Sequence, residues 1–334
     1  MKKDHRDALV LFLERSVREP GAGERWSFVN ATPLPQISSA WKAALLCQQD
    51  FRPDFLQLQK AGFSVSTDLP PIDETFKGVV FIPSRSRRWN EAILARLWNK
   101  MMPEQTLVVA GEKNSGIASL RKWIAGFVEI TESFSKHHAV VFSVVREPQS
   151  PLLPHTDIDK RVEGYHLREG VFSADGPDAG SSLLVDYMDD RIRGRVADLG
   201  AGWGYLSSKV IERSTSLRAL DLFEASLPAL DLARKNLAGT NIPIAFNWLD
   251  ITSEFQKTPY DWVIMNPPFH AGRAADPDIG KRFIEVAAST LPAGGRLLMV
   301  ANRNLPYEKT LETRFRRFET IADLRGFKIL EAVK

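Results

Sequence analysis

The residues best suited to chemistry are Asn266-Pro267-Pro268-Phe269, which follow an apolar run and can hold a planar exocyclic amine. Prolines have no N–H to donate, so the carbonyl oxygens near Asn266 and Pro267 stay free as acceptors, and the Asn266 amide adds another. Together these acceptors can hold both amine hydrogens and aim the nitrogen lone pair at an electrophilic methyl group. Phe269 offers a face for base stacking. The alternative interpretation is a proline turn that ends a strand.

A glycine-rich turn precedes this loop in the chain. It follows Asp198 and Leu199 and contains Gly200, Ala201, Gly202 and Gly204. Glycines permit positive φ and let a ligand approach the backbone closely. The third glycine follows the second by two residues rather than three, which departs from the dinucleotide pattern G-x-G-x-x-G and disfavours a nicotinamide oxidoreductase. Asp198 could orient an ammonium group, so the turn suits S-adenosylmethionine. A plain tight turn is the alternative interpretation.

Carboxylates that follow the next strands could complete a nucleoside site. We favour Glu224 for the ribose hydroxyls, because it lies five residues before Ala229 of the next predicted helix. Asp221 is the second choice. Asp250 follows a further strand and could accept a hydrogen bond from an adenine amine. A helix N-cap is an equally good interpretation of Asp250.

The elements that position these residues alternate between strand and helix patterns, which predicts an α/β fold with a parallel sheet covered on both faces. The predicted strands are 195–198, 217–222, 244–248, 262–265 and 296–300, and the predicted helices are 206–213, 227–237 and 281–290.

The chain also contains an internal repeat. Residues 76–83 align with 260–267, and residues 102–114 align with 291–304. A proline-rich stretch at 147–154 resists helix and central strand, so it predicts a boundary between domains at 1–150 and 151–334. The first copy has no glycine-rich turn and lacks the proline loop, so it looks stripped of its site.

Length and composition agree with two domains, because 334 residues with 44% hydrophobic residues suffice for two cores. The single cysteine, Cys47, excludes internal disulfides and cysteine-rich zinc sites and favours a reducing compartment. No segment has signal-peptide or membrane-span length, so we expect a cytoplasmic protein.

Basic charge is concentrated in the first copy. Residues 1–150 hold 20 basic and 16 acidic residues, although the whole chain has a net charge of only +3. Arg85, Arg87 and Arg88 cluster beside Trp89, where arginines could pair phosphates and stack on bases. A solvated face is the ordinary interpretation of such a run, but its position at the lost proline loop favours RNA. His270 is a further candidate for substrate contact.

Three segments resemble the bacterial ribosomal RNA guanine-N2 methyltransferases, closest to the branch that acts on small-subunit rRNA. These segments are Asn266-Pro-Pro-Phe-His270, residues 170–182 (GVFSADGPDAGSS) and residues 300–307 (VANRNLPY). The resemblance covers most of residues 160–334, and it extends more weakly to 111–117 and 136–138.

This resemblance implies two tandem class I (Rossmann-like) methyltransferase folds, the N-terminal one degenerate and used for RNA recognition. It implies transfer of a methyl group from S-adenosylmethionine to the N2 amine of a guanine, most directly in 16S rRNA. It also places Phe172 in a segment that closes over the cofactor. Trp203 departs from the pattern, since a small residue is common there, and the first domain is shorter than the family's.

Other functions remain open on the sequence alone. They are methylation of a large-subunit guanine, of adenine N6 or of a protein glutamine, and a non-catalytic role in RNA-binding and ribosome assembly. The intact motifs of the second copy disfavour the last. We expect a monomer whose partner is ribosomal RNA or the small ribosomal subunit, with no metal and no membrane contact.

Overall fold

The computed structural model describes residues 4–70, 72–268, 270–271, 274–275 and 277–334. The chain forms two compact units, Met1–Lys160 and Arg161–Lys334. The division lies at Lys160 rather than at residue 150, because the proline-rich stretch packs on the first unit. There Trp98 Nε1 donates to the Pro151 carbonyl at 3.0 Å, and the Asn99 amide exchanges two hydrogen bonds with the Leu153 backbone. No helix among these residues is long and apolar enough to cross a membrane.

In its described part, residues 4–70 and 72–160, the first unit contains one seven-stranded sheet and five helices. Its strands are β1 (Arg25–Val29), β2 (Leu45–Gln48), β3 (Ser64–Ser66), β4 (Phe76–Phe81), β5 (Thr106–Glu112), β6 (Glu132–Lys136) and β7 (Ala139–Val145). Its helices are α1 (His5–Ser16), α2 (Ser39–Ala44), α3 (Arg52–Lys60), α4 (Arg87–Trp98) and α5 (Ile117–Ala125).

The second unit contains a matching sheet. Its strands are β10 (Gly194–Leu199), β11 (Leu217–Glu224), β12 (Ile244–Trp248), β13 (Trp262–Met265), β16 (Arg296–Asn302), β17 (Arg317–Leu324) and β18 (Phe327–Val333). Its helices are α6 (Ala179–Asp186), α7 (Tyr205–Arg213), α8 (Leu227–Asn236), α9 (Pro277–Thr290) and α10 (Glu308–Arg314). The described residues also form two short strand pairs, β8 (Asp159–Val162) with β9 (Tyr165–Arg168) and β14 (His270–Ala271) with β15 (Ala274–Ala275).

The two sheets have the same strand order, which confirms the internal repeat. The first runs β3-β2-β1-β4-β5-β7-β6 and the second runs β12-β11-β10-β13-β16-β18-β17. Val29 pairs with Phe81 in the first sheet, and Leu199 pairs with Met265 in the second. Ile82 and Asn266 therefore occupy equivalent positions, as the alignment of 76–83 with 260–267 predicts.

The predicted parallel sheet is confirmed for its five predicted strands, and two further strands that the sequence did not predict extend it at one edge. Five strands of the second sheet are parallel, but β18 lies antiparallel between β16 and β17. The reason is local, because Arg325 and Gly326 both have positive φ and turn β17 directly back into β18. A tight turn of this kind joins antiparallel strands only.

Burial explains why the central strands form where the sequence predicts them. All four residues of β13 are buried, as expected for a parallel strand covered on both faces. Apolar clusters fill both sides of the second sheet, one under α9 and one under α6 to α8. Polar groups at strand ends are therefore held by a rigid frame.

Candidate active site

Three parallel strands of the second unit bring the predicted residues to one edge. The strands β10, β11 and β13 are neighbours, and their carboxyl ends lie side by side. Gly200 follows β10, Glu224 ends β11 and Asn266 follows β13. Ligands of open α/β sheets bind at this edge. The structure thus brings together the glycine turn, the ribose candidate and the amine candidate.

The glycine turn has the backbone that its sequence predicts. Gly200, Gly202 and Gly204 have φ of 77°, 56° and 89°. The N–H groups of Gly200 and Ala201 donate to the Phe223 carbonyl at 2.8 and 3.1 Å, which fixes the turn to β11. A Cβ built on Gly202 would meet no atom of the described residues within 4 Å beyond its chain neighbours. This part of the turn therefore faces open space.

Glu224 closes the turn from the neighbouring strand. Its carboxylate accepts from the Gly202 N–H at 2.8 Å and from the Ser226 N–H at 2.7 Å. Each oxygen has a further lone pair for a ligand hydroxyl. Burial raises the pKa of Glu224, and the two N–H bonds oppose that rise.

Asp221, the second choice for the ribose, is engaged elsewhere. Its carboxylate accepts from Arg195 Nη2 and from the Tyr260 hydroxyl, both at 2.6 Å, and it is only 6% exposed. Burial and the Asp221 carboxylate raise the pKa of Tyr260. Asp221 therefore stabilises the sheet, and Glu224 is the carboxylate at the strand end.

Asp198 lies behind the turn rather than in the open cleft. Its side chain is 0% exposed, and Oδ2 accepts from Ser207 Oγ at 2.7 Å. Within the described part of the chain, Oδ1 has no hydrogen-bond partner. Burial raises the pKa of Asp198 to about 7, and the nearby Glu224 charge adds to the rise. Contact with a ligand ammonium remains a prediction.

Asp250 caps the turn that follows β12. Oδ1 accepts from the Thr252 N–H at 2.9 Å and from Thr252 Oγ1 at 2.7 Å, and Oδ2 accepts from Ser253 Oγ at 2.7 Å. The sequence left open a helix N-cap here, and the described residues after Asp250 form a turn instead of a helix. An additional contact with adenine remains a prediction.

Asn266 is held by the start of α6. Its Nδ2 donates to Asp178 Oδ2 at 3.0 Å and to Ser181 Oγ at 2.9 Å. Pro267 is buried and Pro268 is exposed. Sequence reasoning did not find these two partners, although Asp178 followed by Gly180-Ser181 is a helix-start signal.

Phe269 lies outside the described residues. His270 is described only as backbone, paired with Ala275 in β14–β15.

Phe172 and Trp203 have opposite surroundings. Phe172 is 61% exposed, which leaves its aromatic face open to a ligand. Trp203 is 3% exposed and packs against Tyr165 and Tyr205, with ring centroids 5.0 and 5.5 Å away. The bulky side chain thus joins a hydrophobic cluster and does not fill the cleft.

The arginine cluster lies at the matching edge of the first sheet. Arg85, Arg87 and Arg88 are all exposed after β4. Arg87 Nε donates to Glu91 at 2.7 Å, and Arg88 Nη2 reaches the Asp157 carbonyl at 3.5 Å. Their predicted contact with RNA is compatible with this exposure and remains a prediction.

In the first unit, two side-chain amides form hydrogen bonds at the strand ends that correspond to the open glycine turn of the second unit. Gln49 occupies the position of Glu224, and its Nε2 donates to the Ala31 carbonyl at 2.7 Å. Asn30 occupies the position of Gly200, and its Nδ2 donates to the Ile82 carbonyl at 2.8 Å. These bonds tie the turn after β1 to β2 and β4. At these two positions the first unit therefore has internal hydrogen bonds, where the second has an open glycine turn and a carboxylate.

The residues of the second unit fit S-adenosylmethionine. The open space at Gly202 admits a ligand to the turn, and Glu224 supplies acceptors for hydroxyls at its rim. Asp198 Oδ1, which has no hydrogen-bond partner among the residues that the structure describes, adds a buried acceptor beneath the turn. The glycine spacing differs from that of turns that bind a pyrophosphate, and S-adenosylmethionine has none.

Comparisons with known proteins agree with this geometry. The family "Methyltransferase small domain" matches residues 165–331. The ribosomal RNA small subunit methyltransferase C of Salmonella arizonae is 32% identical over 231 residues, covering 68% of this chain and 67% of that protein. The protein of the same name from Escherichia fergusonii is 33% identical over 234 residues, covering 68% of this chain and 66% of the relative.

A solved structure has the same fold over almost the whole chain. It is a 16S rRNA N2 methyltransferase of T. thermophilus in complex with AdoMet and guanosine. The TM-score is 0.79 at 24% identity, and the match covers 99% of this chain and 93% of that one. Both units therefore share their fold with a single known protein.

Proposed function

The chain belongs to the methyltransferase small domain family, with the ribosomal RNA small subunit methyltransferases C among its relatives, and from this premise we propose its reaction. It transfers a methyl group from S-adenosylmethionine to the exocyclic N2 amine of a guanine in 16S rRNA. The observation that carries this proposal is Asn266, held at a strand end beside an open glycine turn.

The second unit binds the cofactor at the edge of its sheet. Glu224 accepts from the ribose hydroxyls, the backbone at Gly202 lies against the ligand, and Phe172 covers it. Asp198 and Asp250 are the candidates for its ammonium and its adenine amine. When bound, S-adenosylmethionine supplies an electrophilic methyl group on a sulfonium.

Asn266 and the carbonyls beside it orient the guanine amine. The lone pair of this amine is delocalised into the ring, which makes it a poor nucleophile. Holding both hydrogens favours a pyramidal nitrogen and aims its lone pair, a gain from orientation rather than from proton removal. The proton leaves after transfer, so no strong base is required. Phe269 stacks on the guanine, and His270 contacts the RNA.

The first unit contributes RNA binding. Its edge carries Arg85, Arg87 and Arg88, all exposed where the second unit has its proline loop. Arginine binds phosphate oxygens in a bidentate manner. The enzyme acts as a monomer on ribosomal RNA or the small ribosomal subunit, without a metal.

Two substitutions separate cofactor binding from transfer. Asn266→Ala should keep the affinity for S-adenosylmethionine and lower kcat by about 100-fold or more, because a preorganised partner of the reacting group is removed. Glu224→Ala should weaken cofactor binding by about 10- to 100-fold, because it removes hydrogen bonds to a charged group.

The measurements are calorimetric titration with S-adenosylmethionine and transfer of labelled methyl groups to unmethylated small subunits. Nuclease digestion then identifies the labelled nucleotide. An Asn266→Ala enzyme with undiminished turnover, or label on a base other than guanine, contradicts the proposal.

A further inference from the structure

We propose that Asp178 is a positioning residue that sets which way the Asn266 amide faces, with Ser181 as its partner. The proposal rests on the proposed function, because it concerns the amide that holds the guanine amine. Asp178 precedes α6 within the segment 170–182 and lies 88 positions before Asn266, and neither the glycine turn nor the proline loop indicates a contact with it.

The hydrogen bonds leave Asn266 only one useful orientation. A carboxylate accepts hydrogen bonds and cannot donate them, so the Asn266 nitrogen must face Asp178 Oδ2. The second hydrogen of the same Nδ2 goes to Ser181 Oγ. Both hydrogens are used inside the protein, and Oδ1 is what the side chain offers to a ligand. That atom is the acceptor a guanine amine requires.

Asp178 is itself held by the helix that it caps. Its Oδ2 accepts from the Gly180 N–H at 2.9 Å and the Ser181 N–H at 3.1 Å. Anionic side chains are stabilised at helix N-termini. A Cβ on Gly180 would lie 3.0 Å from Asp178 Oδ2 and 3.0 Å from the Phe327 ring. A larger residue at position 180 would therefore crowd the carboxylate, and glycine does not. Three donors, two from the start of α6 and one from the loop after β13, therefore converge on one carboxylate oxygen.

Replacing Asp178 by Asn separates this role from capping. Asn caps a helix about as well as Asp, so α6 keeps its N-cap. However, the oxygen that caps α6 is the one that accepts from Asn266 Nδ2, and in an amide it is neutral. The weaker bond holds Asn266 less firmly, and its nitrogen can turn towards the substrate amine. Two donors would then face each other, and the amine hydrogen would have no acceptor.

The expected result for Asp178→Asn is a fall in kcat of about 10- to 100-fold for methyl transfer to small ribosomal subunits. KM for S-adenosylmethionine and for subunits should stay within about twofold, since the interaction matters in the transfer step. In an Asn266→Ala background, Asp178→Asn should cause no further loss, because the amide it orients is absent.

The matched control is Asp4→Asn in the first unit. Asp4 caps α1, the equivalent helix, and its carboxylate accepts from the Arg6 N–H at 2.8 Å. The equivalent loop has Ile82 in place of Asn266, so this variant should keep the wild-type kcat. Ser181→Ala removes one of the two acceptors of Asn266 Nδ2 and should give a smaller fall in kcat. This variant tests the inference if Asp178→Asn does not fold.

Three results overturn the inference: a wild-type kcat in both Asp178→Asn and Ser181→Ala, equal losses with and without Asn266, or a matching loss in Asp4→Asn. If the wild-type enzyme labels no guanine, the proposed function fails instead. The coupling between Asp178 and Asn266 is then measured by urea unfolding of the four proteins of the cycle, where additive changes overturn the inference.

Discussion

At the scale of single residues, Asn266 and Asp178 lie 88 positions apart in the chain, and local sequence patterns cannot predict a contact over that separation. The proline loop, the glycine turn and Glu224 follow strand ends, and local patterns predict them. The contact between Asn266 and α6 depends on how the sheet places its neighbours. Residue types and spacing contain no trace of that contact.

Asp198 gives a pH-dependent prediction at this scale. Because burial raises its pKa from 3.8 to about 7, the folded protein keeps a proton in this window that the unfolded chain releases. The free energy of unfolding should therefore fall as pH rises from about 4 to about 7, by at most ~1.4 kcal/mol per pH unit from this group. Asp198→Asn retains an acceptor for Ser207 and cannot ionise.

Urea unfolding of the ligand-free protein and of Asp198→Asn at several pH values measures the difference. The stability of wild type relative to the variant should decline with increasing pH. A difference that stays constant between about pH 4 and pH 7 shows that folding does not raise the pKa of Asp198.

At the scale of elements, the alternating strand and helix patterns predict the central strands and the helices that follow them. They do not predict the antiparallel edge, because β17 is half exposed and its register depends on the turn at Arg325-Gly326. Capping explains the helix starts better than hydrophobic periodicity does. Ser226 caps α8 through the Ala229 N–H, for example.

The glycine turn can be tested against a turn of similar backbone. Gly202 and Gly239 both have positive φ, and a Cβ on either would meet no described atom within 4 Å except in neighbouring residues. An Ala at either position costs about 1–2 kcal/mol of backbone strain. Gly202→Ala should also weaken S-adenosylmethionine binding by about tenfold, since its Cβ enters the space assigned to the ligand.

Gly239→Ala, beyond the end of α8, should bind the cofactor as wild type does. Thermal unfolding checks that the two variants lose similar stability, and calorimetric titration gives the two affinities. Equal affinities would place the cofactor away from Gly202.

At the scale of the whole molecule, the repeat is predictable because it recurs in the sequence itself. The shared strand order of the two sheets confirms it. The boundary is less predictable, because prolines mark a segment without regular structure and do not say which unit the segment packs against. Hydrogen bonds to Trp98 and Asn99 assign it to the first unit.

Retention of a first unit with an excess of basic residues leads to a prediction about RNA affinity. Replacing Arg85, Arg87 and Arg88 by Gln should weaken binding to 16S rRNA and leave S-adenosylmethionine affinity unchanged. The slope of log affinity against log salt should become shallower by about 0.7–0.9 for each phosphate that the variant no longer neutralises.

The control carries the same charge change away from the arginine cluster, with the exposed residues Arg25, Lys77 and Lys100 replaced by Gln. Filter binding over a range of salt concentrations gives both slopes. Identical slopes for the two triple variants would remove the arginine cluster from the RNA interface.

The bonds made by Gln49 and Asn30 have a consequence for how the two halves respond to their surroundings. A ligand that binds only the folded state adds free energy that grows with the logarithm of its concentration. If S-adenosylmethionine binds at the proposed site, the second unit gains this term, whereas the first, where Gln49 and Asn30 bond to its own backbone at the matching positions, does not. One half of the molecule thus has a stability that follows the supply of methyl donor, and the other half has a stability fixed by its own sequence.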